Sequence, residues 1–211
     1  MQIRQNKGNR AGRGSIERDT LRVIAGKFRS RSLQSLPGMD LRPTADRLRE
    51  TVFNVLSAGM PDSLNDTVWI DLCAGTGAVG IEALSRGAAK VYFVEVFPPA
   101  AALINRNLNK LGLENGADYE ILNEDVLLAL HNLQATGVTA DFIFLDPPYR
   151  MADIYEHSLR LLSASSLLGS KTIVIAEHHK KLDPGDGFRS LNRYRTLPQG
   201  DAALSFYRLL R

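Results

Sequence analysis

Two kinds of apolar spacing alternate along most of this chain. Short, largely β-branched or aromatic runs bounded by turn residues predict buried strands over Val68–Leu72, Val91–Glu95, Tyr119–Asn123, Asp141–Asp146 and Lys171–Glu177. Between them, helical spacing predicts helices from the glycine loop after Leu72 to about Arg86, from about Pro99 to Leu111, from about Val126 to Gln134, and to about Leu162. Two later β-rich segments, Arg189–Leu197 and Ala203–Leu210, follow with no helix between them and predict an antiparallel hairpin at the sheet edge. Repeated βα units imply an α/β fold with a doubly wound, mostly parallel seven-stranded sheet, whose ligands sit at the carboxyl ends of the strands.

The front of the chain follows a different pattern. Residues 1–20 show no period and few large apolar side chains, and predict a disordered basic tail. Leu21–Gly26 and Arg29–Leu33 predict two short strands around a turn near Gly26-Lys27. In an extended chain Lys27, Arg29 and Arg31 would share one face. After a turn at Pro37-Gly38, Thr44 is a candidate N-cap and Leu48, Val52, Val55 and Leu56 form a helical apolar stripe, with Arg47 and Glu50 turned away. Three units result: a tail (1–20), a hairpin-and-helix extension (21–58) and an α/β domain (59–211).

Composition adds exclusions. The 211 residues are 44% hydrophobic and 23% charged, values of a globular chain. One cysteine rules out an internal disulfide framework and any zinc site built on two thiolates. No apolar run approaches the roughly 20 residues of a membrane helix, and the polar, arginine-rich start is unlike a secretory signal, so the cytoplasm is the expected compartment. The net charge of +3 hides an asymmetry. Residues 1–50 carry twelve basic and five acidic side chains, and the remainder fourteen and eighteen. A basic front on an acidic body predicts a polyanionic partner.

The chemistry gathers at the predicted strand ends. Gly75, Gly77 and Gly80 spell G-x-G-x-x-G between a strand and a helix, a weak motif shared by several nucleotide-like ligands. Glu95, at the next strand end, suits both hydroxyls of a ribose in nicotinamide and S-adenosylmethionine enzymes alike. Asp71, four residues before Gly75, suits a cationic ammonium and would repel a pyrophosphate, which favours the second class. Asp146-Pro147-Pro148-Tyr149 then closes the fourth strand. An exocyclic amine on a flat base is a poor nucleophile because its lone pair is delocalised into the ring. Asp146 and the Pro147 carbonyl can accept its two hydrogens, and Tyr149 can stack on the base. Cys73 reads as structural rather than nucleophilic, and His178-His179 as surface or pocket-rim residues, since adjacent strand positions diverge and cannot share one metal ion.

D-P-P-Y together with DLCAGTGAVGIEALSRGA resembles amino-methyltransferases that use S-adenosylmethionine. RVIAGKFRSRSL and LRPTADRLRETVFNVL narrow the resemblance to the bacterial 16S ribosomal RNA guanine-N2 methyltransferase family acting at guanine 966. It extends over about residues 21–211 and implies a Rossmann-like class I methyltransferase. By this resemblance Asp71, Gly75 and Gly77 contact the methionine portion of the cofactor, Glu95 its ribose, and Asp125 its adenine amine beside the Val126 backbone. Asp146, Pro147, Pro148 and Tyr149 hold the guanine. Arg42, Thr44 and Arg47 lie near cofactor and RNA, and the hairpin with Arg22, Lys27, Arg29 and Arg31 grips RNA backbone. S-adenosylhomocysteine is the product and no metal takes part. The partner is 16S ribosomal RNA in an assembled or partly assembled small subunit, and the protein is expected to act as a monomer away from membranes. Two departures stand out: Cys73 where an aromatic is expected, and Phe97-Pro98-Pro99 where charged residues would open the helix. An amine such as adenine N6 or a protein glutamine, a nicotinamide oxidoreductase, and a non-catalytic RNA-binding assembly factor are the alternatives.

Overall fold

The structure, a computed structural model, describes residues 21–37, 43–148 and 150–210, with only the backbone described at 43–45 and 61. The tail 1–20, Gly38, Arg42 and Tyr149 therefore lie outside the described residues.

Among the described residues eight strands make one sheet: β1 (Val68–Leu72), β2 (Lys90–Val94), β3 (Tyr119–Leu122), β4 (Ala140–Leu145), β5 (Leu168–His179), β6 (Gly187–Phe188), β7 (Leu191–Gln199) and β8 (Ala202–Leu209). Their order is β3-β2-β1-β4-β5-β8-β7-β6, parallel from β3 to β5 and antiparallel beyond. The expected hairpin is β7–β8, but its second strand pairs inward with β5, and the two-residue β6 adds an eighth strand at the edge. The order reverses between β1 and β4, which opens a crevice above their carboxyl ends.

Alternation along the central strands splits the core. Trp69, Phe142, Phe144 and Ile175 face α1 (Pro43–Leu56), α2 (Ala78–Ser85) and α3 (Pro98–Lys110). Ile70, Ile143, Leu145 and Val174 face α4 (Val126–Ala135) and α5 (Asp153–Leu162). Leu21, Val23, Leu33, Leu48, Val52 and Phe53 join the first of these cores, so the front of the chain and the sheet bury one continuous apolar mass.

Two local expectations need correction. The helix α1 starts at Pro43, so Thr44 lies inside its first turn and not at its N-cap. Proline suits the first helical position because its φ is preset and its missing N–H would have had no partner there. Residues 21–33 are also not a regular hairpin. The arms pair only at their base, where Leu33 N–H donates to the Leu21 carbonyl and Val23 N–H to the Arg31 carbonyl about the Arg22–Ser32 bridge, and Gly26 (φ 80°) and Ser30 (φ 66°) curl the segment between. Lys27, Arg29 and Arg31 are exposed but do not line one extended face. The cause is tertiary: α2 captures the backbone. Glu82 accepts from the Ile24 and Ala25 N–H groups, the Ser85 carbonyl from Lys27 N–H, and Ser85 Oγ from Phe28 N–H. A Cβ at Gly26 would lie 1.9 Å from the Ser85 carbonyl oxygen, so only glycine fits.

A candidate methyl-donor and base site at the strand ends

The carboxyl ends of β1, β2 and β4 bring Asp71, Gly75, Gly77, Glu95, Asp146, Pro147 and Pro148 to one rim, with Asp125 and Val126 just beyond β3. The loop after β1 takes its shape from three left-handed residues, Cys73 (φ 61°), Gly75 (φ 56°) and Gly77 (φ 77°). Gly80 follows inside α2, where a Cβ would lie 2.3 Å from Phe93 Cε1, so the helix can sit this close to β2 only with glycine there.

Carboxylates fasten the loop from both sides. Gly80 N–H donates to Asp71 Oδ2 at 2.9 Å. Gly75 N–H donates to Glu95 Oε2 at 2.8 Å, and Phe97 N–H to Glu95 Oε1 at 2.8 Å. Phe97 is the last residue to offer an N–H before Pro98-Pro99, so the departure from a charged helix start still leaves Glu95 a backbone donor. Each Glu95 oxygen retains a second lone pair for a hydroxyl. Asp125 caps α4, its Oδ1 accepting from Leu127 N–H at 2.8 Å.

Negative charge is concentrated here. Asp71, Glu95, Asp125 and Asp146 all act on the half-buried Cys73 thiol, and with burial they push it well above its ordinary value. Burial first, and the acids with it, disfavour the thiolate, which is the nucleophilic form. Burial pushes Asp71 up to about 8, opposed by the Gly80 N–H and reinforced by Asp146 and Glu95. Burial also raises Asp146. Four acids converging on a glycine-lined loop suit a ligand that carries positive charge, which would draw the raised Asp71 and Asp146 into their ionised forms, and the open loop lets its backbone approach closely.

The turn after β4 is braced by a residue the sequence reading passed over. The buried Tyr155 hydroxyl donates to the Glu177 carbonyl at 2.6 Å and lies 3.4 Å from the Pro147 carbonyl. Pro147 is buried, Asp146 half-buried and Pro148 exposed, and Met151 N–H closes the turn on the Pro148 carbonyl. Asn123 was missed as well: its amide donates to the Glu95 carbonyl at 2.6 Å and holds the tip of β2. An aromatic twenty-two residues from its partner carbonyl, or an asparagine at a strand end, leaves no mark in a pattern of apolar spacing. His178 departs from its surface expectation, being buried with its ring against Ser205 Oγ at 2.9 Å. Among the described residues no group of three or more His, Cys, Asp or Glu is arranged to hold a metal, and no helix is long and apolar enough to cross a membrane.

The basic residues are spread over a longer surface than their spacing suggested. Arg49 stands beside Glu82 and Phe53 beside Arg86, so α1 runs alongside α2 in the same direction. Its first turn, with the Thr44 backbone, is thereby carried toward the glycine loop, and exposed Arg47 lies one turn below. The turn with Lys27 and Arg29 sits at the other end of α2, against Ser85. Eight residues of helix separate that turn from the loop, about 12 Å.

A parallel core in this order, an antiparallel end, and an acid-rimmed glycine loop beside an Asp-Pro-Pro turn define a class I methyltransferase fold. The T. thermophilus 16S rRNA N2 G1207 methyltransferase, whose structure holds AdoMet and guanosine, shares that fold at a TM-score of 0.62 and 19% identity, over 83% of this chain and 45% of that one. The chain belongs to the family described as Conserved hypothetical protein 95, whose model matches residues 21–208, and with it to the small-subunit ribosomal RNA methyltransferase D family. Ribosomal RNA small subunit methyltransferase D of Haemophilus influenzae is 36% identical over 76% of this chain and 79% of its own length. The structure of the putative methyltransferase yhhF from Escherichia coli superposes at a TM-score of 0.74 with 29% identity, over 90% of this chain and 98% of that one.

Proposed function

We propose that the protein transfers a methyl group from S-adenosylmethionine to the exocyclic N2 amine of a guanine in 16S ribosomal RNA, at family position 966, in the cytoplasm and as a monomer. Family membership supports the ribosomal RNA substrate. The observation that carries the site assignment is the convergence of four acids on the glycine loop directly beside the Asp146-Pro147-Pro148 turn.

When bound, the donor supplies an electrophilic methyl on a cationic sulfur. Asp71 and the loop backbone at Gly75 and Gly77 hold its methionine end, Glu95 its ribose and Asp125 with Val126 its adenine. Asp146 and the Pro147 carbonyl would accept hydrogen bonds from the two N–H groups of the target amine and orient its lone pair in line with the methyl; as the N–C bond forms the S–C bond breaks, S-adenosylhomocysteine leaves, and the one surplus amine proton passes to Asp146 or to water. Tyr149 stacks on the guanine. The base must leave its stack to reach Asp146, which is cheapest where the RNA is already splayed, as in an assembled or partly assembled small subunit. Arg42, Thr44 and Arg47 line the approach, while Arg22, Lys27, Arg29 and Arg31 hold phosphates farther along α2, Lys27 and Arg29 at its Ser85 end.

Tritiated S-adenosylmethionine, small subunits lacking the modification, and mapping of the labelled nucleoside test this. Label belongs on guanine N2, and Asp146→Ala abolishes it while S-adenosylhomocysteine still binds. Label on adenine N6 or on protein glutamine overturns the base assignment. Stabilisation by NADH and not by S-adenosylhomocysteine overturns the class.

A further inference from the structure

Glu177 is a carboxyl that the mechanism above leaves unused. It stands half-buried near the carboxyl end of β5. β4 and β5 are parallel and in register at Leu145 and Ala176, so the next positions, Asp146 and Glu177, are neighbours with backbones about 5 Å apart. Phe144 and Ile175 face the first core, Leu145 and Ala176 the second. Alternation therefore turns Asp146 and Glu177 to the first face, the side to which Asp71 also turns. His178, one residue on, turns the other way, with its ring edge-on to Tyr155.

The tip that bears Glu177 is fixed. Tyr155 holds its carbonyl together with the Pro147 turn, and β8 pairs with it through apolar Leu204. Burial and the nearby Asp146 charge both raise the Glu177 carboxyl. A carboxyl kept beside a like charge in a half-buried crevice costs stability, and such sites concentrate where a ligand is handled.

Resting on the methyltransferase reading above, we propose that Glu177 reads the base, accepting the N1–H of the target guanine while Asp146 and the Pro147 carbonyl accept the two N2 hydrogens. Three acceptors at the tips of β4 and β5 then meet three adjacent donors on the guanine edge. Those donors favour the ionised carboxyls. Adenine offers two amine hydrogens but a lone pair at N1, which would face the Glu177 carboxylate. The same pair of strand tips thus orients the amine and selects the base that carries it.

The test uses small subunits assembled on ligated 16S RNA with either guanine or 2-aminopurine at the target. The analogue keeps the N2 amine but has a lone pair at N1. Wild type prefers guanine in kcat/KM. Glu177→Gln, whose amide can turn an N–H toward that lone pair, narrows the preference by roughly tenfold or more. Glu177→Ala, which adds no donor, narrows it by lowering the guanine value alone. Both variants keep the wild-type rise in Tm with S-adenosylhomocysteine. An unchanged preference in the two variants overturns the proposal. So does loss of turnover on both templates with that Tm rise intact, because Glu177 would then serve any amine. Failure of the wild type to methylate either template overturns the parent reading instead.

Discussion

Glu82 ties the front of the chain to the α/β core, and its removal has a calculable cost. The side chain is fully buried in α2. It accepts from Ile24 N–H at 2.7 Å, Ala25 N–H at 3.0 Å and Arg86 Nε at 2.7 Å, and Arg49 Nε lies 3.9 Å away. Glu82→Ala would leave two backbone N–H groups and two guanidinium groups short of their acceptor. Breaking a buried pair by removing one partner costs about 3–5 kcal/mol. Arg49 keeps Asp46 at 3.0 Å and Arg86 retains some access to water, so the lower end applies, about 3 kcal/mol. For a chain of this size that lowers Tm by roughly 6–12 °C. Urea unfolding gives the free energy, and amide exchange at Ile24, Ala25 and Phe28 locates it. Glu82→Gln, with one acceptor left, falls between the two. A loss below about 1 kcal/mol, the range of ordinary surface changes, with exchange at Ile24 and Ala25 as slow as in wild type, would refute the assignment of Glu82 as the strut.

Three further outcomes are expected. Gly80→Ala forces its new methyl against Phe93 and Val91 and should cost about 1–3 kcal/mol in thermal unfolding, with weakened S-adenosylhomocysteine binding because the Asp71 partner shifts. Asp71 is raised to about 8 in the fold, so folding binds a proton there and stability falls as pH climbs from the usual carboxylate range through about 8. Asp71→Asn should therefore gain Tm over wild type across that window, match it near pH 3, and lose the Tm rise given by S-adenosylhomocysteine. Replacing Lys27, Arg29 and Arg31 together with alanine should lower the log–log salt slope of RNA binding by roughly 2 and leave S-adenosylhomocysteine affinity alone, since the three side chains are exposed and the turn that bears Lys27 and Arg29 sits at the Ser85 end of α2, away from the loop.

What the sequence made legible was whatever local chemistry dictates. Strands with dense apolar runs and helices with 3.6-residue spacing lie within a few residues of their predicted places, because burial on one or both faces demands those patterns. The rim residues were legible for a related reason: in a doubly wound sheet, a residue at the end of a parallel strand is placed by topology alone. The failures share a cause too. Residues 21–33 pair at their base as the hairpin pattern predicts, yet the N–H groups of Ile24, Ala25, Lys27 and Phe28 are taken by Glu82 and Ser85, nearly sixty residues on, and no local spacing encodes that capture. Tyr155 and Asn123 act through hydrogen bonds to backbone carbonyls, which any sequence offers at every position.

The asymmetry of charge also acquires a mechanical sense from the fold. The acids of the body are spread from Asp71 to Asp146 in sequence, and strand order gathers them around one thiol. The basic residues of the front are close in sequence, and among the described ones the fold spreads Lys27, Arg29 and Arg47 from the Ser85 end of α2 up toward the glycine loop. A polyanion lying along α1 and α2 would be held by phosphate contacts at one end while a single base enters the acidic crevice at the other. The separation matters because phosphates near Asp71, Glu95 and Asp146 would be repelled, whereas a neutral base edge rich in N–H donors would not. The strut at Glu82 keeps these two regions at a fixed spacing, so its loss should weaken RNA positioning even under conditions where the sheet itself stays folded.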